Sequence, residues 1–221
     1  MKKLLFTQRS LSVVVLCLFI FNSFFSLAQN PLVKMWDKRF GGTYNDDMGC
    51  FLQTRDGGYI FGGTSNSGIS GDKTEPLRGA IYIPDFWIIK IDSAGNKQWD
   101  KTFGGTEDEF LFTCQQTRDG GYIFGGISAS GISGDKTEPN RDTVCIIACA
   151  YDFWIVKTDS YGNVEWDKTF GGTRSDFLYS LQQTSDNGYI LGGYSTRGLT
   201  EIKQRIIGTQ LYHRVVMTIG L

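Results

Sequence analysis

The sequence predicts an all-β protein built from repeated four-stranded antiparallel units. Three observations support this prediction: long phrases recur in fixed order, 28 of the 221 residues are glycine, and no stretch beyond residue 28 follows the 3.6-residue period of a helix. The repeated units are typical of the blades of a β-propeller, present here as an incomplete set. A β-sandwich of unrelated strands is the alternative fold, but it does not explain a repeat of 63 to 67 residues.

Residues 1–28 have the composition of a secretory signal peptide. Basic residues precede an apolar run at residues 11–21, which is too short for a stable membrane anchor. Small side chains at Ser26 and Ala28 place the cleavage site before Gln29. The alternative for this segment is an amphipathic or core helix. We therefore expect an exported chain without a membrane span after cleavage, located outside the cell, on its outer surface or in the periplasm.

Residues 29–196 contain the repeat, as two full units and part of a third. Trp-Asp-Lys occupies residues 36–38, 99–101 and 166–168; Gly-Tyr-Ile-Phe-Gly-Gly occupies residues 58–63 and 121–126, with Leu in place of Phe at residues 188–193; and Asp-Phe-Trp-Ile occupies residues 85–88 and 152–155. Long matches in constant order indicate one structural unit used several times.

Within the second unit we predict two hairpins joined by a long polar loop at residues 128–150. The predicted strands are residues 110–117, 122–127, 153–158 and 164–170, all rich in β-forming residues. Asp119 and Gly120 suit the tight turn of the first hairpin, because both tolerate a positive φ. Residues 159–163 supply the second turn, with a glycine where a left-handed residue fits.

The phrases Trp-Asp-Lys-Thr-Phe-Gly-Gly-Thr, Gln-Thr-Arg-Asp-Gly-Gly-Tyr-Ile and Ser-Gly-Asp-Lys-Thr-Glu resemble the Gly-rich repeats of large exported proteins of Bacteroidota. The resemblance covers about residues 34–196. It implies a propeller-like, non-enzymatic surface or secreted module. Such proteins often end in a C-terminal sorting domain for type IX secretion, and no such domain is visible in this sequence.

Charge and histidine content argue against several functions. The chain has 22 basic and 23 acidic residues, and removal of residues 1–28 leaves 19 basic residues, so there is no basic field to hold nucleic acid. A single histidine disfavours most Ser-His-Asp, Cys-His and multi-histidine metal mechanisms. We therefore expect no enzymatic activity and no catalytic residues. A secreted hydrolase or lyase that uses paired carboxylates is kept as an alternative.

The loop phrase at residues 67–75 recurs at residues 130–138 and is where we predict a partner to bind, because rigid scaffolds present binding residues on loops. The candidate binding residues are Asp72, Lys73, Glu75, Asp135, Lys136 and Glu138. The partner class is a protein or a glycan, and the alternatives are a solvated polar loop and a structural spacer in a larger surface protein. No cofactor is required, although the four acids are candidate calcium ligands.

Asp46, Glu109 and Asp176 share one repeat position, shortly after a Gly-Gly-Thr turn. We predict that each side chain caps the N–H groups of that turn, because a scaffolding role requires repetition in every unit. A ring of acids that binds cations is the alternative.

Four cysteines lie beyond the signal segment. Cys145 and Cys149 share one loop and are the candidate disulfide pair, whereas Cys50 and Cys114 do not occupy equivalent repeat positions. Buried or idle thiols are the alternative, and a zinc site is disfavoured because no histidine is near.

Residues 197–221 form an aberrant tail. Read one base out of frame, residues 201–205 permit Gly-Asp-Lys-Thr-Glu, which is the loop phrase expected at that place in the repeat. We therefore hypothesise a one-base slip near codons 195–197, so that the chain is a fragment of a longer repeat protein. The alternative is a genuine divergent C-terminus, and the nucleotide sequence past codon 195 decides between them.

Overall fold

A computed structural model describes residues 35–141, 150–195, 205–207 and 210–212. The chain divides into two compact units, Met1–Asp37 and Lys38–Leu221. Of the first unit only residues 35–37 are described, and they belong to no helix or strand. The signal segment, the pair Cys145 and Cys149, and most of the tail lie outside the described residues.

The described part of the second unit is all-β, as predicted. Its strands form three antiparallel sheets, each with neighbours in sequence order. The first sheet contains β1 (Asp46–Gln53), β2 (Tyr59–Ser65), β3 (Asp85–Ile91) and β4 (Lys97–Phe103); the second contains β5 (Glu109–Gln116), β6 (Tyr122–Ser128), β7 (Asp152–Thr158) and β8 (Val164–Phe170); the third contains β9 (Asp176–Gln183), β10 (Gly188–Ser195) and the short β11 (Arg205–Ile207) and β12 (Gln210–Tyr212).

The strands predicted for the second unit are confirmed to within one residue at each end. Their hairpin turns are also as expected: Gly120 has a φ of +92° and Gly162 a φ of +80°. A lysine near the end of β3 and of β7 holds the facing turn, since Lys90 Nζ lies 2.9 Å from Asp56 Oδ2 and Lys157 Nζ lies 2.9 Å from Asp119 Oδ2. The pKa of Asp56 is lowered to about 2, because two groups stabilise its carboxylate. The larger effect comes from the Thr54 hydroxyl and the smaller from Lys90.

The second sheet is covered on both faces. One core cluster joins it to the first sheet and includes Phe86, Ile88, Phe124 and Trp154. The other core cluster joins it to the third sheet and includes Ile155, Leu178 and Leu191. Strands β3 and β7 are buried along their whole length, which explains the run of four consecutive apolar residues in each.

Each first strand carries a β-bulge at the same repeat position. The pairing register shifts at Gly49, at Phe112 and at Tyr179, where one residue has no partner on the second strand. A bulge turns the extra side chain away from the regular face of the sheet. Among the described residues, no helix is long and apolar enough to span a membrane.

Candidate functional site

The candidate site lies at one end of the sheets, where each first strand begins and the long loop enters the third strand. We call this the loop end. The prediction that repeated acids cap the turns here is confirmed. In each repeat the acid accepts a hydrogen bond from a glycine N–H four residues earlier, at 2.7 Å from Gly42 to Asp46, 2.8 Å from Gly105 to Glu109 and 2.7 Å from Gly172 to Asp176.

A pair of buried carboxyl groups spans the first and second sheets at the loop end. Asp85 begins β3, Glu109 begins β5, and neither is exposed to solvent. Asp85 Oδ2 accepts the Arg78 N–H at 2.6 Å, whereas Oδ1 has no N–H or hydroxyl donor. Burial raises the pKa of Asp85 to about 8 and also raises the pKa of Glu109. Glu109 contributes to the raised pKa of Asp85, so Asp85 keeps its proton near neutral pH.

The same pair recurs between the second and third sheets. Asp152 begins β7 beside Asp176, and burial raises the pKa of Asp152 to about 7. The Gly-Gly joints leave room for these carboxylates: a Cβ built on Gly104 would lie 1.9 Å from Asp85 Oδ1, and one on Gly171 would lie 1.8 Å from Asp152 Oδ1. The glycines thus serve packing as well as turns.

Two buried lysines lie close to these acids. Lys73 and Lys136 are almost inaccessible to solvent, and their ammonium groups donate to the hydroxyls of Thr102 and Thr169. Burial lowers the pKa of each lysine to about 8. The interpretation of this phrase as a solvated polar loop is therefore wrong for its lysines.

The four acids predicted to bind a partner also contact their own chain. Asp72 accepts the Gly41 N–H at 3.1 Å, and Asp135 accepts from Arg78 Nε at 2.7 Å. Glu75 and Glu138 accept the N–H groups of Thr102 and Thr169 at 3.1 and 3.0 Å. No group of three or more His, Cys, Asp or Glu side chains within residues 35–141 and 150–195 is placed to hold a metal ion. A partner contact at these residues stays a prediction.

A disulfide joins Cys50 on β1 to Cys114 on β5, with 6.0 Å between the Cα atoms. The expectation of idle thiols is therefore wrong for this pair. Cys50 lies opposite Gly62 and Cys114 opposite Phe124, so the two are one position apart in the repeat. Comparison of the repeats shows where a residue lies within its own sheet, but not which residue of the next sheet it faces. The sequence alone therefore did not reveal this cysteine pair.

Six aromatic side chains form a continuous half-exposed surface near the loop end, which we call the aromatic strip. Its members are Phe110, Phe112, Tyr151, Phe177, Tyr179 and Tyr194, with ring centroids 4.8 to 5.9 Å apart along the series. The side chain of Tyr179 is 51% exposed. Tyr151 also donates its hydroxyl to Asp108 at 3.2 Å.

The aromatic strip exists because the residue at the bulge position differs between repeats. Phe112 and Tyr179 are the bulged residues of β5 and β9, and their rings lie 5.3 Å apart. The first repeat has Gly49 at this position, where a Cβ would lie 2.0 Å from the Leu111 carbonyl oxygen. An alignment of the three repeats shows this difference in the sequence, because only the second and third units carry an aromatic residue at the bulge position.

Comparison with protein-family models gives no match, and no curated protein shows significant sequence similarity to the chain.

The carboxyl pairs predict that stability falls as pH rises. Asp85 and Asp152 keep their protons in the native state up to about pH 7 to 8, but release them near pH 3.8 when unfolded. Their contribution is complete below the unfolded pKa and is lost as pH rises through the folded pKa. The penalty from Lys73 and Lys136 is constant below about pH 8 and declines only above it. We expect a thermal midpoint about 5 °C higher at about pH 5.5 than at about pH 8.

Calorimetry of matched variants checks this pH dependence. Asp85→Asn removes one ionisable partner and should halve the change in midpoint, because the Asp152 pair remains. Asp47→Asn, at an exposed position of β1, should leave the change in midpoint between the two pH values as it is in the parent. Equal pH dependence in the parent and Asp85→Asn would contradict the raised pKa of Asp85 in the native state.

Proposed function

We propose that the protein is an exported, non-enzymatic β-propeller segment that presents its loop end to a protein or glycan partner. The aromatic strip carries this proposal. Aromatic side chains offer large contact areas at a small cost in conformational entropy and recur at recognition surfaces. Here several are held on strands rather than on a free loop, so the surface is pre-organised for binding.

The arrangement of the sheets favours propeller blades over a sandwich. A sandwich consists of two sheets with one core, whereas here the second sheet packs on a neighbour through each of its faces. Strand β1 contacts β5, and β5 contacts β9, so the first strands are neighbours along the series. First strands lie side by side in this way around the axis of a propeller.

The buried polar residues favour a scaffold over an enzyme. The carboxyl groups of a glycosidase must reach the scissile bond of the substrate. Asp85 and Glu109 instead lie between two sheets, fully out of contact with solvent. A structural spacer is the second candidate, and the half-exposed tyrosines favour recognition, because a spacer has no use for them.

Binding by the aromatic strip is tested with a matched pair of tyrosine variants. Tyr179→Ala removes a ring that is 51% exposed within the aromatic strip. Tyr161→Ala removes one that is 72% exposed at a hairpin turn on the opposite end of its sheet. We expect Tyr179→Ala to weaken binding about 30-fold and Tyr161→Ala to change it less than about 2-fold.

A glycan array and co-purification with surface extracts supply the binding measurements. The parent chain should bind at least one glycan class or protein, and the Tyr179→Ala signal should fall on that ligand. Equal losses in both variants would contradict the aromatic strip as the site. Absence of any ligand in both formats would favour the spacer.

A further inference from the structure

Within the described residues, the outer face of the first sheet is more exposed than the equivalent faces of the other two sheets. The repeat position of Met48 is occupied by Leu111 in the second sheet and Leu178 in the third, as the strand registers show. Leu111 is 1% exposed and Leu178 is 0% exposed, because each packs on the preceding sheet. Met48 is 67% exposed. We call this surface the head face.

The outer face of the third sheet is the complementary surface. Ile60 in β2 and Ile123 in β6 are both 0% exposed, since the following sheet covers them. The equivalent Ile190 in β10 is 49% exposed. We call this surface the tail face. The chain therefore presents two different apolar faces that the repeat itself pairs with each other.

Between neighbouring sheets, a leucine side chain acts as a knob that fills the space beside a glycine of the preceding sheet. A Cβ built on Gly62 would lie 2.7 Å from Leu111 Cδ2, and one on Gly125 would lie 2.8 Å from Leu178 Cδ2. The leucine of each sheet thus occupies space left by the glycine of the sheet before it. In the third sheet this glycine is Gly192, and in the first sheet the knob is Met48. Met48 and Gly192 thus stand at the two positions of this pattern that have no partner sheet among the described residues.

Phe40 shows that the head face suits a sheet of this repeat. The Phe103 and Phe124 rings, which join the first and second sheets, are 6.2 Å apart. Phe40 precedes the first sheet at the position equivalent to Phe103, and its ring lies 6.5 Å from that of Phe61. The residue that ends the fourth strand of a preceding sheet is thus already in contact with the head face.

Hydrogen bonds between neighbouring sheets also fix the alignment of one sheet on the next. Gln116 Oε1 accepts the Arg55 N–H, and Gln183 Oε1 accepts the Arg118 N–H, both at 2.9 Å. The equivalent glutamine of the head face is Gln53, which is exposed. Ser185 supplies the equivalent N–H at the tail face. Because this donor is a backbone group, the replacement of arginine by serine preserves it.

We propose that the chain assembles head to tail, with the tail face of one copy covering the head face of a second copy. The contact is heterologous, since it joins two different surfaces of the same chain. Two copies supply six sheets, which lies within the four to eight blades of closed propellers, so a ring of two copies satisfies both faces of each.

Sedimentation velocity on protein from cells expressing the full 221-residue chain tests the assembly. We expect a dimer or larger species at about 50 μM. Met48→Lys on the head face and Ile190→Lys on the tail face each bury a charge in the contact, and should weaken association at least about 30-fold. Ile69→Lys, at a loop position that is 67% exposed, is the matched control and should assemble as the parent does.

Mixing the two blocked variants separates this proposal from general aggregation. Each alone should be monomeric, because every contact it can form includes a blocked face. Together they retain one intact head-to-tail contact, and should form a 1:1 dimer that grows no further. A monomeric parent at all concentrations would overturn the proposal. So would assembly of both single variants at the level of the parent, or a mixture that stays monomeric.

Discussion

Reduction of the Cys50–Cys114 disulfide is expected to lower the thermal midpoint of the chain by about 10 °C. The bond links residues 64 apart in sequence and joins the first strands of two different sheets. By the loop-entropy relation, closing a loop of this length stabilises the native state by about 4 kcal/mol. For a chain of this size each kcal/mol moves the midpoint by about 2–4 °C.

Thermal melts with and without a reductant measure this effect. The Cys50→Ala/Cys114→Ala variant should melt where the reduced parent melts and should not respond to reductant through these positions. Cys145→Ala/Cys149→Ala is the control. Any change in its midpoint on addition of reductant comes from the Cys50–Cys114 disulfide. A parent whose midpoint is unaffected by complete reduction would show that the bond does not stabilise the stack.

Gly126→Ala is expected to destabilise the chain by at least about 3 kcal/mol, with a midpoint lower by about 10 °C. A Cβ at this position of β6 would lie 2.0 Å from the Phe110 carbonyl oxygen on the paired strand. Gly63 and Gly193 have the same conflict, at 1.9 and 2.0 Å from the oxygens of Asp47 and Phe177. The obstacle is backbone, so no side-chain rotation relieves it.

Urea unfolding of Gly126→Ala beside Gly131→Ala checks this cost. Gly131 lies in the loop and has no positive φ, and a Cβ at this residue would have no other atom within 4 Å. Its substitution should therefore change the free energy of unfolding by less than about 0.5 kcal/mol. Equal stability of the two variants would contradict the close approach of β5 and β6 at the bulge.

The hairpins were predictable because their causes are local. Asp119 and Gly120 specify a turn, and the β-rich residues on each side specify its strands, so neighbouring residues contain the information. The capping role of Glu109 was predictable for the same reason, since its partner is the N–H of Gly105, four residues away. Local hydrogen bonds of this kind recur wherever the phrase recurs.

Features between sheets were not predictable, because they depend on how one repeat packs on the next. Lys73 belongs to a polar loop phrase, and its burial follows from the distant hydroxyl of Thr102. The Cys50–Cys114 bond and the ring contact of Phe112 with Tyr179 likewise join different sheets. The candidate site therefore consists of half-exposed aromatic rings. The charged loop residues predicted from the sequence instead contact their own chain.

Peptide mapping of the unreduced protein tests most directly that successive repeats stack as neighbouring sheets joined by a disulfide. The protein is alkylated, digested without reductant and analysed by mass spectrometry. We predict one cross-linked species that contains Cys50 and Cys114, which places β1 beside β5. Recovery of both residues as alkylated free thiols, or of Cys50 linked to a different cysteine, would contradict the stack.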